Sequence, residues 1–103
     1  MSNKLEQIQN WKAPKWHEDF GNPVIELELL KELCRFIIAE NSDYNLELDC
    51  FEDGYMQVNM FLGTTKKFDL QVVDSTLPKI GLFGANGDEY YITSISDVRQ
   101  YLK

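Results

Sequence analysis

The sequence predicts an α+β fold: an N-terminal arm, one core helix packed on a mostly antiparallel sheet of about five strands, and a short C-terminal helix. Three observations lead there. Apolar residues between Pro23 and Glu40 recur at helical spacing, and after Asp43 the period changes to two, as in half-buried strands. Clusters of Gly, Asn and Asp between the alternating runs then mark tight turns, which join antiparallel neighbours. The 103 residues fit one domain, and 44% hydrophobic with 13% aromatic content is enough to bury a core.

Residues 1–22 read as an irregular aromatic arm packed on that domain. Leu5, Ile8 and Trp11 allow a short helical turn, after which Pro14, Gly21 and Pro23 break the chain, with Trp11, Trp16 and Phe20 as anchors. Asn22-Pro23 is a helix start, because Asn caps free N–H groups and Pro at the first helical position has none to waste. The helix over 23–40 puts Leu27, Leu30, Cys34 and Ile37 on one face, widened by Leu33 and Ile38. Glu28, Glu32 and Arg35 fall opposite, with Glu32 and Arg35 spaced for a pair. Asn41-Ser42-Asp43 stops it.

Leu46, Leu48 and Cys50 then alternate with Glu47, Asp49 and Phe51, and Met56, Val58, Met60 and Leu62 alternate with Tyr55, Gln57, Asn59 and Phe61. A two-residue loop at Asp53-Gly54 would oppose Asp49 to Val58, mixing carboxylates with apolar groups on one face. A three-residue loop, Glu52-Asp53-Gly54, pairs Leu48 with Val58 and Cys50 with Met56, and is the consistent choice. The next strand, 67–73, should pair Phe68 with Met60 and Leu70 with Val58. Glu47, Asp49, Gln57, Asn59, Asp69 and Gln71 then share a polar, acidic outer face. Pro78 keeps 74–78 a loop, 80–83 and 89–93 form a second hairpin around Gly84-Ala-Asn-Gly-Asp88, and Ser94 or Ser96 caps a helix carrying Ile95, Val98 and Leu102.

No catalytic signature emerges, so no enzyme is expected. His17 with Glu18 and Asp19 is a string of consecutive residues without a second His, and Cys34 and Cys50 have no CxxC partner. Both thiols are expected to be buried, and neither a metal nor a cofactor is expected. The Gly84–Asp88 loop lacks a phosphate-binding Lys. The net charge of −7 disfavours direct contact with nucleic acid or an anionic membrane and suits a basic partner. Apolar stretches are short and MSNKLEQIQNW has no apolar signal core, so a cytoplasmic protein is expected.

Charge segregation is what remains. Between Arg35 and Lys66 there is no Lys or Arg, while Glu40, Asp43, Glu47, Asp49, Glu52 and Asp53 are interleaved with Tyr44, Phe51, Tyr55 and Phe61. Such a run can serve solubility alone. Read as a binding patch, Glu47, Asp49, Glu52 and Asp53 supply steering, with Phe51 and Tyr55 as anchors.

A short acidic α+β chain with an antiparallel meander, a GDEYYI penultimate strand and a SISDVRQYLK closing helix resembles the small immunity proteins that bacteria pair with secreted toxins, including those of contact-dependent growth inhibition. The resemblance implies a cytoplasmic protein that binds one cognate toxin domain, often a basic nuclease, and covers its active site. It assigns no residue role. Two alternatives stand beside it: an acidic nucleic-acid mimic, and an adaptor subunit that docks through the Trp11–Phe20 arm.

Overall fold

The computed structural model describes residues 4–12, 23–51, 56–74 and 79–102. Along the chain run α1 (Lys4–Gln9), α2 (Pro23–Glu40), β1 (Tyr44–Cys50), β2 (Met56–Leu62), β3 (Thr65–Asp74), β4 (Lys79–Gly84), β5 (Glu89–Ile92) and a C-terminal 3-10 helix (Ile95–Tyr101). The strands form one antiparallel sheet in the order β1-β2-β3-β4-β5, and the fold is α+β. Its inner face, with Met56, Val58, Met60, Leu70, Ile80, Leu82 and Ile92, shares one core with Ile8 of α1, the apolar face of α2 and Val98. The described helices therefore all stand behind the sheet.

The apolar face of α2 is the expected one: Leu27, Leu30, Leu33, Cys34, Ile37 and Ile38 are buried, whereas Glu28 and Glu32 are exposed. Two basic side chains of α2 reach the end of α1, Lys31 while also lying 3.6 Å from the Glu28 carboxylate one turn before it. Lys31 is only 8% exposed, its stem lying along apolar surface while its ammonium donates to the Gln9 carbonyl at 3.0 Å. Arg35 donates to Gln9 Oε1 at 3.1 Å instead of pairing with Glu32. A cation at the C-terminal end of α1 satisfies a carbonyl with no partner inside the helix and complements the helix dipole. Lys4, at the other end, donates to the carbonyls of Ser42 and Tyr44. These contacts seat α1 and leave Trp11 half-buried against the core. The other arm anchors, Trp16 and Phe20, and the Asn22 cap lie outside the described residues.

Sheet register follows the expected pairs. Leu48 faces Val58 and Cys50 faces Met56 across β1 and β2; Val58 faces Leu70 and Met60 faces Phe68 across β2 and β3. The loop chosen to explain the first of these, 52–54, lies outside the described residues. Two departures matter for the outer face. β3 starts at Thr65, not Lys67, and Phe61 pairs with Lys66, so one extra residue bulges between Lys66 and Phe68 and turns Lys66 outward. Leu62 and Thr65 are then joined by two residues, with Gly63 at φ 66 and no positive φ at Thr64, as a type II′ turn requires. A second shift lies between Val72 and Asp74.

The closing helix is 3-10, not α. Ser94 makes no side-chain cap; its hydroxyl lies 3.1 Å from that of Ser96, so the first turn lacks the bond that would favour an α-helical start. Val98 is its buried anchor, and Arg99 holds Glu40 through Nη2 at 2.6 Å and Nε at 2.8 Å. That pair compensates a carboxylate placed at the unfavourable C-terminal end of α2.

Candidate functional site

The outer sheet face is built by strand alternation, and cross-strand pairing sorts it into rows. One row crosses all five strands: Glu47, Asn59, Asp69, Phe83, Glu89. In the next, Asp49 faces Gln57 at one end and Gly81 faces Tyr91 at the other, with Gln71 between. No described helix covers either row.

On β1 and β2 the face is polar and internally bonded. Gln71 Nε2 donates to Gln57 Oε1 at 2.9 Å, Gln57 Nε2 donates to Asn59 Oδ1 at 2.7 Å, and Asn59 Nδ2 donates to Asp49 Oδ2. The three donations run one way and end on the Asp49 carboxylate, an arrangement in which each bond polarises the next. Asn59 is only 7% exposed although it faces outward, because these neighbours cover it on an interior strand. The register is not in question, since Val58 beside it is fully buried on the inner face.

Of the residues expected at a binding patch, Glu47 and Asp49 are both exposed on this face. Phe51, just past β1, is 41% exposed. Glu52, Asp53 and Tyr55 lie outside the described residues, as does His17. Asp49 is more than a solvated charge, since it terminates the amide chain.

The β3–β5 side adds basic and aromatic groups to the polar, net acidic face that the sequence suggests. Lys66, turned outward by the bulge, pairs with Asp69 at 2.6 Å. That Asp69 Oδ1 is cut off from solvent and lacks a properly aligned hydrogen bond, so the nearby ammonium compensates it by charge alone. Lys79 places Nζ 4.9 Å from the Tyr91 ring centroid. Tyr91 meets Phe83 edge-on, centroids 6.0 Å apart and planes at 87°. The Phe83 ring lies back along β4 over Gly81, where a Cβ would come within 2.6 Å of two ring atoms. Glycine is what lets the ring lie down.

Sequence reasoning missed Phe83, Tyr91, Lys66 and Lys79. A signal for Tyr91 was present: if Ile80 and Ile92 share the core face, the tyrosine beside Ile92 must point away from it.

Elsewhere, Phe68, Tyr90 and Tyr101 close the end of the inner face. The Tyr90 and Tyr101 rings are 4.7 Å apart and Phe68 stands edge-on to both, at 6.2 and 6.3 Å, so these rings mainly satisfy each other. Cys34 is fully buried and burial pushes its thiol far up; Cys50 is only half-buried, not enclosed as expected, and is raised by burial and then by the Asp49 charge. Among the described residues no three His, Cys, Asp or Glu side chains form a group that could hold a metal ion. No described helix is long and apolar enough to cross a membrane. No family model matches the chain, and no curated protein or solved structure matches it.

Proposed function

We propose that this chain is a binding protein that neutralises a basic partner, as immunity proteins do with their toxins, by laying its outer sheet face over the partner's active site. The observation that carries the reading is the open face itself: every described helix stands behind the sheet, and the front presents Glu47 and Glu89 on its two edge strands. Carboxylates at both edges steer a cationic surface into register. The amide chain across Gln71, Gln57, Asn59 and Asp49 holds those side chains before a partner arrives, which lowers the entropy lost on binding. A nuclease-like toxin holds its substrate phosphates with cations, and these carboxylates are suited to occupy the same groups. The reading assigns the chain no reaction of its own, and a bacterial cytoplasm is where such a protein would act.

The test is co-expression with the toxin domain encoded beside its gene. The chain should preserve growth, and the two purified proteins should co-elute at equal stoichiometry with association slowed by added salt. Growth arrest despite full expression of this chain, or a complex whose association is indifferent to salt, contradicts the reading.

A further inference from the structure

The aromatic side of the outer face is more specific than a generic acidic patch. Phe83 pairs with Asp69 of β3 on one side and Glu89 of β5 on the other, so one ring has a carboxylate residue on each neighbouring strand. Strands about 4.8 Å apart put both acids within reach of a group resting on the ring. The Cε2 and Cζ end of the ring lies against Gly81, and the side chain stays partly exposed on the outer face. Tyr91, 47% exposed, walls one flank, and its own ring already holds the Lys79 ammonium. The chain thus uses one ring of this pair to hold a cation, while Phe83 carries none among the described residues.

We infer that Phe83, flanked by Glu89 and Asp69, is an arginine-reading site for a side chain of the basic protein partner; the inference rests on the function proposed above. A guanidinium is planar, stacks on an aromatic face and directs N–H groups sideways from its edge. Glu89, exposed on the edge strand, accepts those N–H bonds, and Asp69, whose charge is shared with Lys66, adds its field from the other side. A lysine ammonium engages a ring or a carboxylate as a point charge and gains less from having both. Arginine selectivity, more than attraction to positive charge, is the property this geometry adds.

The full chain is titrated with nona-arginine and with nona-lysine, peptides of equal charge, following backbone amide shifts by NMR. Nona-arginine should bind about fivefold tighter, a 1 kcal/mol preference of cation–π size, with shifts centred on Phe83, Glu89 and Tyr91. Phe83→Leu and, separately, Glu89→Gln should each bring the two peptides to within about twofold of each other. Glu89 is exposed, so its variant keeps the test sound if Phe83→Leu disturbs packing. Equal affinities with shifts centred on Glu47 and Asp49 overturn the arginine site and leave the basic-partner reading standing. An arginine preference that survives both substitutions also overturns the site. Absence of binding by either peptide at low salt overturns both.

Discussion

Asn59 occupies a position that alternation assigns to solvent, yet its amide is consumed on both ends, donating to Asp49 and accepting from Gln57. Asn59→Ala should cost about 1–2 kcal/mol in a urea titration, because the buried bonds go but both former partners can reach water. Asn59→Asp should cost more, since it opposes a carboxylate to Glu47 on one side and Asp69 on the other. The cysteines give a second residue-level test. Burial keeps the Cys34 thiol protonated in the folded state at pH values where the unfolded chain, near an ordinary pKa of about 8.5, loses its proton. Folding is therefore favoured by the full amount below that pKa, and the contribution is lost as pH rises above it. Stability should fall by up to about 1.4 kcal/mol per pH unit from the buried thiol, and Cys34→Ala should flatten that slope relative to the parent. In the native protein a thiol reagent should react slowly with Cys50 and leave Cys34 untouched until urea is added.

At the scale of elements, α1 is held less by its length than by cations at both ends. Lys31→Ala removes a charged donor from the Gln9 carbonyl and should cost about 1.5–3 kcal/mol, with hydrogen exchange rising first in residues 4–12. Leu30→Ala in α2 or Leu70→Ala in β3, both fully buried, should each cost about 2–5 kcal/mol. The bounds of α2 and the pairs Leu48–Val58 and Met60–Phe68 were legible in the sequence because one apolar face and one register satisfy every residue at once. The bulge before Phe68 was not, since an extra residue within Lys66-Lys67 leaves the apolar pattern of β3 unchanged. Nor was the 3-10 character of the last helix, because Ile95 and Val98 are three apart and a buried anchor at that spacing suits either helix.

For the molecule as a whole, a meander with all described helices on one side leaves a broad sheet face uncovered, and the sequence displayed only half of it. The β1–β2 side was legible as an acidic run because its charges are contiguous in the chain. The Phe83–Tyr91 side was not, as its character depends on Gly81 having no side chain and on contacts between strands that no local pattern records. The central claim is that this whole face, edge to edge, meets the partner. Glu47 and Glu89 test it best, being exposed at opposite ends of one row and outside the amide chain that includes Asp49. Glu47→Lys with Glu89→Lys should leave the unfolding free energy from a urea titration within about 0.5 kcal/mol of the parent. The measurement is the affinity of that double variant for the cognate toxin domain: a loss of about 2 kcal/mol or more through like-charge contact is the predicted result, and parental affinity with parental protection of cells would contradict the account.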